Sequence, residues 1–214
     1  MKAENRFQKL LKKFRGSFVE LYLIRHGQTL WNEMGKLQGR ADIELNENGR
    51  RVAGELGVKL DNVDFDVIYS SPLIRSYETA CLIRGHRNIR IIRDERLVEI
   101  NFGAGEGDSW AAWNKPESPF NAFFTDTASY IPPEGGESLE EIMARTKDFV
   151  QTELEPACSK LKRVMVVAHG ALNSALMCYL ENNGKEHFWG KGLQKNCQAS
   201  VFEYDGSSWI RKEN

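Results

Sequence analysis

A chain of 214 residues suits one domain carrying at most a small insert, and it is long enough to bury a sizeable core. With 41% hydrophobic and 28% charged residues it has a globular make-up, and a formal net charge of -1 excludes a strong global field for a polyanion such as nucleic acid. No stretch approaches the ~20 apolar residues of an integral membrane segment.

The first 16 residues carry six Lys or Arg against one Glu. Phe7, Leu10, Leu11 and Phe14 fall on the i, i+3, i+4, i+7 stripe of an amphipathic helix. Without an uninterrupted apolar run this is not a secretory signal. Residues 1–18 are therefore expected as a basic extension, covering a groove of its own domain or the seam of a homodimer, in a cytoplasmic protein. Cys81, Cys158, Cys178 and Cys197 show no CxxC pairing and no His at zinc-finger spacing, so free thiols are expected.

Strand and helix signals then alternate, which predicts an α/β sandwich with a largely parallel sheet in residues 19–214. "VELYLIR" reads as the first strand, with a helix after it over about 47–60. "FDVIYSS" reads as a short buried strand stopped by Pro72 before the helical "LIRSYETACLIRG", and "IRIIRD" as an edge strand. From about 103 to 137 the pattern dissolves into Gly, Pro, Trp and Phe, as in a lid insert or a pair of short helices. Its aromatics, among them Trp110, Trp113, Phe120, Phe123, Phe124 and Tyr130, are expected to form the lid's own small core, or in part to line a pocket for the apolar part of a substrate. Ser138 and Glu141 form a capping box that restarts a helix. "RVMVVAHG" is a second buried strand, "ALNSALMCYLENN" a helix, and "ASVFEYD" with "SSWIRKE" a closing hairpin.

Two of these strands end in His-Gly. The carboxyl ends of parallel strands line the ligand crevice of an open sheet, so His26 and His169 are expected in one site. Gly27 and Gly170 let the backbone turn and a ligand approach. Arg25 precedes the first of these histidines, and Arg75 follows the strand ending "YSSP"; each guanidinium can grip phosphate oxygens. Read alone, Arg75 is better taken as a helix-surface arginine paired with Glu78 at i+3. His86 and His187 receive no role.

Taken together, "LIRHGQTLWN", "SSPLIRSYETA", "LVEINFGAGEG", "PEGGES" and "VVAHG" stand in the order of the histidine phosphatase superfamily, also called phosphoglycerate-mutase-like. The chain resembles that family from about Val19 to Tyr204. The resemblance implies a three-layer α/β/α sandwich with a small lid, and a phosphomonoesterase that needs neither metal nor other cofactor. It implies His26 as nucleophile, Arg25, Arg75 and His169 around the phosphate, and Glu99 as general acid with Glu106 and Asp108 as rivals. It further implies Asn32 as a phosphate contact, with Gln38, Gly39 and Asn196 as weaker ones. Crowded cationic groups are expected to depress the pKa of His26 before phosphate arrives.

The resemblance leaves the substrate open among alpha-ribazole phosphate, sugar phosphates, phosphoglycerate and nonspecific monoesters. Phosphoglycerate mutases share the core, but Ala171 and Ser174 stand where their sequences usually carry Asn and Arg, and the insert is short. Both departures favour hydrolysis. A non-catalytic phosphate binder on the same fold is the remaining alternative.

Overall fold

The computed structural model describes residues 18–157 and 160–213. Residues 1–17, the bulk of the basic extension, and Cys158 lie outside the described residues.

The strands are β1 (Val19–Arg25), β2 (Val67–Ser70), β3 (Ile91–Arg93), β4 (Arg163–Ala168), β5 (Ala199–Tyr204) and β6 (Trp209–Arg211). They form one sheet in the order β3-β2-β4-β1-β5-β6. The first four are mutually parallel, and β5 and β6 close the other edge as the expected antiparallel hairpin. Strands buried on both faces need apolar side chains on both, which is why "VMVVA" and "IYS" occupy the middle. The short β3 forms the half-buried edge.

Side chains alternate across the sheet, and each face has its own cover. Leu21, Leu23, Val164 and Val166 pack with Ile142 and Leu172, which belong to α3 (Leu139–Phe149) and α4 (Gly170–Leu180). Ile24, Ile68, Met165 and Val167 face Ala80 and Leu56, from α2 (Ile74–Arg84) and α1 (Glu47–Lys59). The result is the three-layer α/β/α arrangement. Ser138 caps α3 through the predicted box, its Oγ accepting from the Glu141 N–H while the Glu141 carboxylate accepts from the Ser138 N–H. The helix expected to run on from there instead widens at Val150–Leu154 into a π-helical turn.

Residues 103–137 hold only short helical turns, Trp110–Trp113 and Ala122–Thr125 among them. Trp113 stacks on Phe120 at 4.4 Å, and the Phe123 ring meets Phe102 edge-on at 5.5 Å. Trp113, Phe123 and Tyr130 belong to the same apolar cluster as α3 and α4. The insert therefore has no separate core: it is sealed onto the main one, where each fully buried aromatic of this size contributes about 1.5–3 kcal/mol. Cys81, Cys178 and Cys197 are free thiols. No helix among the described residues is long and apolar enough to cross a membrane.

Candidate active site

Because β1 and β4 are parallel neighbours with Arg25 opposite Ala168, the residues that follow each strand leave the sheet side by side. The His26 N–H extends the ladder to the Ala168 carbonyl at 2.9 Å, and the His26 and His169 ring centroids lie 5.2 Å apart. Gly27 is required at this exit: a Cβ there would stand 2.7 Å from the Gly49 carbonyl oxygen at the start of α1. Its N–H donates to Thr79 Oγ1.

The tautomers of both histidines follow from their partners. His26 Nδ1 lies 2.7 Å from the Gly27 carbonyl, which can only accept, so Nδ1 carries the proton and Nε2 keeps its lone pair. Arg75 Nε, which can only donate, lies 3.2 Å from His169 Nδ1. His169 therefore holds its proton on Nε2, which donates to Ser71 Oγ at 2.8 Å. Burial pushes both imidazoles well below their ordinary pKa, with Arg75 the next cause for each. The depression of His26 expected from crowded cations is thus first an effect of desolvation.

Arg75 is fully buried and is not paired with Glu78, which instead binds Arg50 at 2.5 Å. Its two terminal nitrogens donate to the Ala41 and Gly39 carbonyls, each at 2.8 Å. Burial lowers it to about 10. Glu106 holds that loop in place: its carboxylate accepts from the Gly39, Arg40 and Ala41 N–H groups at 2.6, 3.2 and 2.8 Å. Gly39 is packed so tightly against the Ile100 carbonyl and the Glu106 carboxylate that any Cβ would overlap both. Asp108 accepts from the Trp113 indole N–H at 3.0 Å. Both rivals of Glu99 therefore have structural employment.

Glu99 is buried, and its carboxylate accepts from the Ala171 and Leu172 N–H groups at 3.1 and 2.9 Å. These are otherwise unpaired donors in the first turn of α4, where the helix dipole favours negative charge. Arg25 donates to the Gln194 carbonyl at 2.6 Å; burial lowers its pKa and Glu99 opposes that. Thr29 and Asn32 form a reciprocal cap on the turn Leu30–Glu33. Asn196 donates to the His26 carbonyl at 2.9 Å and contacts Asn32 Oδ1 at 3.4 Å.

Arg25, His26, Asn32, Gln38, Glu99 and Gly170 line one end of an open pocket. Arg75 and His169 are fully buried next to this lining, the His169 ring 5.2 Å from that of His26. Arg25 Nε and Gln38 Nε2 are buried there with no hydrogen-bond partner among the described residues. Buried donors are nearly always satisfied, so two side chains of the lining each keep one donor uncommitted. His86 and His187 are exposed and lie off this wall.

Sequence reasoning missed three supporting residues. Gln194 fixes Arg25 by its carbonyl and bonds Asn173, Ser200 and the Leu23 carbonyl by its side chain. Ser71 orients His169. Arg145 donates to the Arg96, Val98 and Glu99 carbonyls, shaping the turn that carries Glu99. Only Ser71 had a sequence signal, its place in "SSP" ahead of Arg75.

The sequence pattern of the histidine phosphatase superfamily (branch 1) matches residues 21–213. The chain is 32% identical to phosphoserine phosphatase 1 of Hydrogenobacter thermophilus, over 87% of each protein. It is also 32% identical to a 2,3-bisphosphoglycerate-dependent phosphoglycerate mutase of Parvibaculum lavamentivorans, over 90% of this chain and 94% of that one. Among solved structures, Bacillus stearothermophilus YhfR superposes with a TM-score of 0.82 at 32% identity, covering 90% of this chain and 95% of that one. By these matches over nearly its whole length, the chain belongs to the histidine phosphatase superfamily.

Proposed function

We propose that the chain is a metal-independent phosphomonoesterase that acts on small-molecule phosphates through a phosphohistidine formed at His26. As a member of this family it is an enzyme of the phosphoric monoester hydrolase type; its substrate and the roles of its residues are the proposal. The observation that carries it is the unprotonated Nε2 of His26, on the wall of a pocket where two buried donors lack partners.

The Nε2 lone pair attacks phosphorus while the bond to the ester oxygen breaks. The Glu99 carboxylate takes the proton that the monoanionic phosphate ester brings and passes it to the leaving alkoxide. The positive charge that develops on the imidazole is shared through Nδ1–H with the Gly27 carbonyl. Arg25, Gln38 and Asn32 hold the phosphoryl oxygens, and the nearby Arg75 charge favours their negative charge. Water then attacks phosphorus, Glu99 takes the water proton, and the P–N bond breaks to restore the Nε2 lone pair. Arginine and amide donors supply the charge stabilisation that a metal gives elsewhere.

Hydrolysis is favoured over phosphoglycerate isomerisation because the pocket offers little for a second phosphate. The Ala171 N–H is committed to Glu99, and Ser174 is buried off the pocket wall. A cytoplasmic setting, in keeping with the free thiols of Cys81, Cys178 and Cys197, completes this reading.

Phosphate release from an alkyl and a nitrophenyl phosphate tests it. His26→Ala is expected to lose both activities by on the order of 10³-fold or more. Glu99→Gln is expected to lose the alkyl activity by about 10²-fold or more and the nitrophenyl activity far less, because that leaving group needs no proton. Full activity in His26→Ala refutes the assignment.

A further inference from the structure

We infer that this pocket selects phosphomonoesters whose leaving group is apolar and ring-sized, an aryl alcohol or its equivalent, rather than a small hydroxy or amino acid. The inference rests on the phosphomonoesterase reading for its phosphate end and adds the identity of the other end.

Beyond Glu99 the wall changes character. Leu37, Phe102 and Phe123 form its floor, and Trp110, Phe124 and Leu193 stand around its mouth. Trp110 and Leu193 are 45% and 46% exposed although both are large and apolar. The Trp110 ring meets Phe124 at a centroid distance of 5.4 Å and an angle of 66°. Exposed apolar surface at a site mouth, continuous with a buried apolar floor, is surface that a ligand covers. Trp189 completes the wall and is held by an indole N–H bond to the Phe123 carbonyl at 2.5 Å.

A phosphorylated amino or hydroxy acid needs something else there: a cation or several donors for its carboxylate. Among the residues lining the pocket, the cations are Arg25 and Lys36. Arg25 belongs to the phosphate end, with one terminal nitrogen bound to the Gln194 carbonyl. Lys36 sits over the Trp31 ring, 5.4 Å from its centroid. A carboxylate placed between Phe102 and Phe124 would lose its water with Lys36 as the one cation of the lining outside the phosphate end. An aromatic ring loses water there with gain.

Binding of non-hydrolysable phosphonates to the full-length protein tests this by calorimetry, independently of turnover. Benzylphosphonate is expected to bind at least about tenfold more tightly than the phosphonate analogue of phosphoserine. Trp110→Ala and Phe124→Ala are each expected to shrink that ratio several-fold, and Trp110, being half exposed, can be removed without emptying the core. Equal or reversed affinities, failure of both phosphonates to bind, or a ratio unchanged in both variants overturns the inference. Aryl selectivity in binding without phosphate release from any ester would instead leave this inference standing and remove the phosphomonoesterase reading.

Discussion

At the scale of single residues, the reactivity assigned to His26 comes from one hydrogen bond and from burial. The bond to the Gly27 carbonyl decides which nitrogen is bare, and desolvation, reinforced by Arg75 and then Arg25, keeps the ring neutral. His169 is neutral for the same first reason, with its proton on the opposite nitrogen. Nitrogen NMR is expected to report His26 as the Nδ1–H tautomer and His169 as the Nε2–H tautomer, with neither ring titrating near the ordinary ~6.5. Because both folded pKa values are depressed, the unfolded chain binds more protons than the folded one below ~6.5. Stability present above that pH is therefore expected to decline as pH falls from ~6.5 toward the folded values, and to decline less when His169 is replaced by Gln. A His26 ring that titrates at its ordinary value would contradict the electrostatic account.

At the scale of elements, the loop 39–41 and the turn 96–99 are positioned from a distance. Glu106 gathers three amides so that the Gly39 and Ala41 carbonyls face Arg75, which in turn orients His169. Hydrogen bonds to a charged acceptor contribute about 1.5–3 kcal/mol each. Glu106→Ala is expected to lower stability by about 2–3 kcal/mol in chemical denaturation and kcat by about tenfold, and Glu106→Gln, which keeps an acceptor oxygen, to recover part of both. An unchanged kcat in the Ala variant would confine Glu106 to a structural role. The sequence made the strands that end in "RHG" and "AHG" legible, because an apolar run with an abrupt polar end has few other readings. It also marked the capping box at Ser138, which is local. It did not show that Glu106 would clamp a loop 65 to 67 positions away, or that Arg145 would hold the Glu99 turn. Such contacts depend on how elements meet, and no local pattern encodes them. The aromatic insert was legible in composition only, since its turns are too short to carry a period.

At the scale of the whole molecule, the sheet order brings together positions that the sequence keeps far apart. β4 inserts between β2 and β1, so the ends of these three strands deliver Ser71, His169 and His26 to one edge. The insert then closes over that edge and turns a phosphate-sized cleft into a pocket with an apolar mouth. The central claim is that this assembly exists to expose one nucleophilic nitrogen. Its most direct test is rapid-quench labelling with a phosphomonoester carrying radioactive phosphorus, followed by peptide mapping. The account predicts an acid-labile, base-stable label on His26, formed within a single turnover and absent from His26→Ala. A label on another residue, or turnover by the wild-type enzyme with no transient label at His26, would contradict it.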